Sequence, residues 1–194
     1  MKAERRAQLV HAASRLFAER GFLAVSMEDL AAEAGVSGPA VYRHFASKEA
    51  LLADLLIDVS EQLLEGGLLR ATSTSPFASL ELLIAFHTDF ALRDRDLIRI
   101  QDHDFANLAP EDARTVSRLQ RSYLEVWVEV LRHVDSQLSE SAARTKVQAV
   151  FGLLNSTPHS ALHRDTEATR SILETMAMDA LGLTTSDVPH LQPS

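Results

Sequence analysis

In AVYRHFASKE, residues 40–49, a phenol, a guanidinium, an imidazole and an ammonium fall close together as Tyr42, Arg43, His44 and Lys48. All four can donate hydrogen bonds to phosphate oxygens, and a guanidinium also forks onto the acceptors of a base edge. Val41 and Phe45 stand one helical turn apart, so on a helix they share the core-facing side. Ala40, Arg43 and His44 are then left facing outward, with Tyr42 at the margin. A helix with such a face fits a major groove and offers it both base and phosphate contacts. Taken singly, Tyr42 reads as a packing residue, His44 as a surface histidine and Lys48 as a solvated charge. Their joint spacing carries the stronger reading.

The preceding residues must hold that helix in place. Ser26 precedes an apolar-periodic run and has Asp29 three residues on, a capping box in which Asp replaces the usual Glu. Val25 and Leu30 occupy the two positions of a hydrophobic staple. Gly35 can enter the left-handed region and so ends the helix. Ser37 is predicted to cap the next helix, with Val36 and Val41 as its staple, and Ser47 a further one. Pro39 falls in a first turn, where a missing N–H costs little. Each cap contributes about 1 kcal/mol. Two helices joined by a tight glycine-containing corner form a helix-turn-helix, in which the first braces the second.

Nearly all the remaining chain reads as helix, and no alternating run is long enough for a strand. Helices are predicted from about Ala3 to Arg20 and from Lys48 to a stop at Gly66-Gly67. Others follow after a loop at Thr72–Pro76 (carrying Leu80 to Ala91), over about Asp96–Leu108, from near Pro110, and over about Glu140–Asn155 and Glu167–Leu181. The tail 184–194 is expected to fray. The fold class is all-α: a three-helix head, a long linking helix over about 48–65, and a larger helical body. The domain boundary is placed between residues 48 and 49.

Charge supports that division. The 194 residues carry a net charge of −8, yet residues 1–48 hold seven Lys/Arg against five Asp/Glu. Residues 49–194 hold twelve against twenty-two. A head that tolerates a polyanion on an acidic body fits this split. The chain has no cysteine, hence no disulfide, thiolate metal site or Cys nucleophile. No stretch approaches the roughly 18 apolar residues of a membrane span, and a cytoplasmic location is expected.

The segment AGVSGPAVYRHFASKEALL, with VSMEDLAAEA before it, resembles the DNA-binding head of the tetracycline-repressor (TetR) family of transcriptional regulators. The likeness covers roughly residues 6–56; beyond them only length and helical character agree. It implies that Ser26 and Lys48 touch phosphate from helix starts, and that Ser37, Ala40 and Arg43 approach bases. Tyr42 and His44 would reach the backbone. Pro39 stands where the family often has Gly, so close approach there falls to Gly38. The resemblance further implies a homodimer through the last two large helices, bound to a pseudo-palindromic double-stranded DNA operator. It also implies a small-molecule effector in the body that releases the regulator, mainly a repressor, from DNA. A body lined by Leu, Val and Phe suits an acyl-thioester, a lipid-like molecule or a hydrophobic antibiotic. No cofactor or metal is expected.

Polar groups on apolar faces mark candidate effector contacts, because burying one unpaired costs about 1–3 kcal/mol. His87 sits among Leu83, Ile84, Phe90 and Ala91; Arg121, Tyr123 and Trp127 share a Val/Leu-rich helix; Asn155 ends the next. For each, a satisfied polar residue or an aromatic of the core is the plainer reading. Arg99, Asp102 and His103 lie on the segment that in this family couples body to head, or form surface ion pairs. His159 and His163 are four apart, which alone is a weak metal pair. As for an enzyme, Gly35-Val36-Ser37-Gly38 grazes the hydrolase nucleophile elbow, but Pro39 and a preceding helix stand where that motif needs Gly and a strand. No phosphate loop or dinucleotide fingerprint occurs. A helical dimer that binds only protein is the remaining alternative.

Overall fold

The computed structural model describes residues 2–159 and 166–183, so His163, the side chain of His159 and the tail 184–194 lie outside the described residues. Among the described residues there are helices and no strand. They are α1 (Lys2–Arg20), α2 (Met27–Glu33), α3 (Gly38–Tyr42), α4 (Lys48–Arg70) and α5 (Pro76–Arg93). There follow α6 (Arg95–Asp104), α7 (Pro110–Val134), α8 (Glu140–Leu154) and α9 (Thr166–Leu181), with short 3-10 turns at Phe22–Ala24, Phe105–Asn107 and Thr157–His159. The chain forms two compact units, Met1–Glu65 with Asp94–Ser122, and Gly66–Arg93 with Tyr123–Ser194. The helices α4 and α7 each run from one unit into the other.

The first unit is built on one apolar core. Leu9, Ala13, Leu16 and Phe17 of α1 meet Leu30 of α2 and Val41 and Phe45 of the α3 turn. Leu51, Leu52, Leu55 and Leu56 of α4, Ile100 of α6 and Val116 of α7 complete the core. Each such leucine or phenylalanine contributes about 1.5–3 kcal/mol by leaving water. The turn Phe22–Ala24 is pinned to this core by polar contacts as well. Asp104 of α6 accepts from the Phe22 N–H at 3.2 Å. The Lys48 ammonium donates to the carbonyls of Phe22 and Val25, each at 2.7 Å, and lies 4.3 Å over the Phe22 ring.

In the second unit α5 buries Leu80, Leu83, Ile84, His87 and Thr88, and packs against α9. Val147, Val150 and Leu154 of α8, and Leu173 and Ala177 of α9, are buried within the chain. Lys146 closes the end of α9 by donating to the Leu181 carbonyl at 2.6 Å.

The predicted stop at Gly66-Gly67 does not occur; α4 continues to Arg70. The two glycines serve close approach instead. A Cβ at Gly66 would lie 2.3 Å from the Phe86 ring, and one at Gly67 would lie 2.5 Å from the Tyr123 ring. Gly67→Ala sets up to about 1 kcal/mol of helix propensity against roughly 1–3 kcal/mol of overpacking. The Tyr123 ring is stacked on others and cannot yield freely. Urea unfolding should therefore show a net loss of about 1–2 kcal/mol, with the slope of the transition unchanged; a gain in stability would refute the close contact.

Candidate functional site

The corner before α3 is fixed locally. The Ser26 hydroxyl accepts from the Asp29 N–H at 3.1 Å, and the Asp29 carboxylate takes the Ser26 N–H at 2.8 Å. The same carboxylate also takes the Ser26 hydroxyl proton at 2.6 Å, and these bonds hold the Asp29 carboxyl below its usual range. At the other end of α2, Gly35 sits at φ +63°. The Val36 N–H then reaches back to Ala31 and the Gly35 N–H to Ala32, the paired bonds of a Schellman corner.

Ser37 has cap backbone geometry, but its side chain makes no capping bond. The reason is Pro39. It occupies the second helical position and has no N–H to offer, while the Ala40 N–H goes to the Ser37 carbonyl at 2.8 Å. The Ser37 hydroxyl is thereby left exposed and available. Val41 and Phe45 are buried as the periodicity predicts, Tyr42 is 53% exposed, and Arg43 is exposed beside it. Ala40, Gly38 and His44 are half-buried. The structure thus brings Ser37, Gly38, Ala40, Tyr42, Arg43 and His44 onto one five-residue helix and its ends. Ser26 and Lys48 differ from these in being engaged already. The Ser26 proton is committed to Asp29, and two of the three Lys48 N–H bonds are committed to carbonyls, leaving one for an outside acceptor.

In the second unit, His87, Tyr123, Trp127 and Asn155 come together. Nε2 of His87 lies 3.1 Å from Oδ1 of Asn155, and Nδ1 lies 3.2 Å from the Tyr123 hydroxyl. A neutral imidazole satisfies both, donating to Asn155 and accepting from Tyr123. The His87 and Phe151 rings are parallel at 4.7 Å, and Tyr123 lies parallel to Phe151 at 5.5 Å. Trp127 stands perpendicular to Phe151 at 5.1 Å. Burial pushes the Tyr123 hydroxyl well above its usual range, against a weaker pull from the Trp127 indole and the Arg70 charge. The Trp127 N–H faces that oxygen without full hydrogen-bond geometry, and the buried Thr88 hydroxyl has no partner. Phe151 and Thr88 are absent from the sequence-derived contacts. Phe151 stands one turn before Asn155, a spacing that could have marked it; nothing marks Thr88 except its place beside His87.

Arg121 does not join this group. It is exposed in the first unit, beside Arg114 and Arg118. On α6, Arg99, Asp102 and His103 are exposed as well.

Burial lowers the His87 pKa from 6.5 to about 4, opposed in part by its bond to Asn155. The unfolded chain therefore binds more protons between those values. Stability is full above pH 6.5 and falls as pH drops towards 4. The loss attributable to His87 at about pH 4.5 is about 2–3 kcal/mol. Urea unfolding at about pH 7 and pH 4.5 should show this drop in the wild type and a shallower one in His87→Gln; equal drops would place the charge change elsewhere.

The family model described as bacterial regulatory proteins, tetR family, matches residues 9–55. The model described as tetracyclin repressor-like, C-terminal domain, matches residues 73–159. The HTH-type transcriptional repressor KstR2 of Rhodococcus jostii (strain RHA1) is 30% identical over 134 residues, 67% of this chain and 65% of that protein. The match thus spans just under two thirds of that relative's length. Among solved structures, the TetR family transcriptional regulator PfmR from Thermus thermophilus superimposes with a TM-score of 0.78 at 22% identity, over 90% of this chain and 97% of that one. AibR, solved with isovaleryl coenzyme A and operator DNA, does so with a TM-score of 0.74 at 19% identity, over 89% and 97%. These likenesses are to regulators, not enzymes, and the two family models together cover most of the chain. It belongs to the TetR family of bacterial regulatory proteins.

Proposed function

We propose that the chain is a ligand-responsive, sequence-specific transcriptional regulator, acting mainly as a repressor from the cytoplasm. The observation that carries this is the α3 turn, with Val41 and Phe45 buried while Tyr42 and Arg43 stand exposed. Ser37, Ala40 and Arg43 read bases; Tyr42, His44 and the free N–H of Lys48 hold phosphate; Gly38 permits close approach. Ser26 contributes by fixing the start of α2, and reaches phosphate only by giving up its bond to Asp29. Residues 1–48 form the DNA-binding part and 49–194 the effector and dimer part, linked by the helix over about 48–65.

A homodimer through α8 and α9 fits the exposed Ile172 and Met176, at 58% and 47%. Most of the apolar face of α8 is already buried within the chain, so these two α9 residues would supply apolar contact. Two-fold symmetry then requires a pseudo-palindromic operator.

The effector site is the group around His87, Tyr123, Trp127 and Asn155. Its rings favour an apolar or amphipathic molecule, and the unpaired N–H of Trp127 favours one carrying a hydrogen-bond acceptor. An acyl-thioester fits both, and the fold neighbour AibR holds one. Arg121, outside this group, drops from the proposed contacts. Displacing the Tyr123 ring would press on Gly67 and so on α4, whose far end carries Lys48. The effector acts only through its different affinity for the two states.

A genome-wide map of bound sites would supply the operator. On that operator, Tyr42→Ala should weaken binding roughly tenfold while the protein stays folded and dimeric; unchanged affinity would remove α3 from the interface. Lys48→Ala should flatten the dependence of log K on log salt by about 0.9 per lost contact, and an unaltered slope would remove Lys48 from the phosphate contacts.

A further inference from the structure

Arg114, Arg118 and Arg121 stand at i, i+4 and i+7 on α7, all exposed, on the side opposite the buried Val116. With Ala113, Ser117 and Ser122 they line a groove of about 500 Å³. No carboxylate lines it, and among the described residues none of the ion pairs takes up any of the three arginines. Six arginines elsewhere (Arg6, Arg15, Arg20, Arg93, Arg144 and Arg170) are paired with carboxylates. Like charges at this helical spacing repel. A chain rich in acidic residues has thus left three guanidiniums together and unneutralised.

We propose that this row is a binding site for a small molecule bearing adjacent phosphates, such as a nucleoside or coenzyme diphosphate. The row spans about 10 Å at 1.5 Å per residue, with neighbouring side chains about 5–6 Å apart. Guanidinium forks pair bidentately with phosphate oxygens. Three forks in a line exceed what one phosphate can satisfy and suit two joined ones. The hydroxyls of Ser117 and Ser122 add neutral donors beside them. The groove has the size of a small-ligand site. Residues 49–194 carry twelve Lys/Arg against twenty-two Asp/Glu in all, a balance that disfavours a long polyanion, whereas a small anion need meet only the row.

The proposal does not rest on operator binding and is tested without it. Calorimetric titration of the full chain with inorganic pyrophosphate, ADP and coenzyme A should show saturable binding of at least one of them. Arg118→Glu should weaken that binding at least about tenfold, while Arg132→Glu, at another exposed arginine of α7, leaves it unchanged. Pyrophosphate binding as well as ADP or coenzyme A assigns recognition to the phosphates themselves. Tighter binding of ADP or coenzyme A, still sensitive to Arg118→Glu, names the source of the diphosphate. The proposal fails if nothing binds saturably, if Arg118→Glu is without effect, or if a short random duplex alone binds with that sensitivity. Arg114→Ala and Arg121→Ala should each show a smaller loss in the same direction.

Discussion

The helix α3 has five residues, far fewer than the roughly 12–15 a helix needs to persist alone in water. Its conformation is therefore borrowed. Val41 and Phe45 are anchored in the core formed by α1 and α4, and the Schellman corner at Gly35 sets the angle at which the chain arrives. Exposed side chains at residues 42 and 43 are held in register only because their neighbours at 41 and 45 are not free to move. Any contact those side chains make with a partner is stabilised by burial one residue away.

Lys48 shows how few groups are needed to tie the head together. One ammonium closes the carbonyls of Phe22 and Val25, and a ring covers it. The turn it closes leads directly into Ser26 and the start of α2. Asp104 of α6 holds the same turn from another side. The start of α4 and the start of α2 are thus fixed through a single side chain, which keeps one donor for an outside acceptor. An arginine there would present a planar fork instead of a compact point charge, and the two converging carbonyls suit the latter.

Much of this is legible in the sequence. The caps, the staple positions and the periodicity of Val41 and Phe45 are local, and local rules describe the head nearly residue by residue. Ser37 departs because Pro39 removes one donor and Ala40 spends the other on a carbonyl, a competition that counting cap residues does not capture. In the body, His87, Tyr123, Trp127 and Asn155 are recognisable as polar or aromatic groups on apolar stripes, and they do meet. Arg121 shares a helix with Tyr123 but points about 160° away in helical angle, two residues at roughly 100° each being about 200° apart. The glycine pair reads as a stop because sequence alone does not reveal the rings of Phe86 and Tyr123, which lie far along the chain from it.

That glycine pair constrains how the chain can vary. Since a methyl group at position 67 and a phenol ring at position 123 claim the same space, neither site can be chosen independently of the other. A descendant that acquires alanine or serine at 67 would be expected to shrink residue 123 in compensation, and with it the hydroxyl that His87 uses. Drift at residue 123 of α7 is thereby tethered to residue 67 of α4.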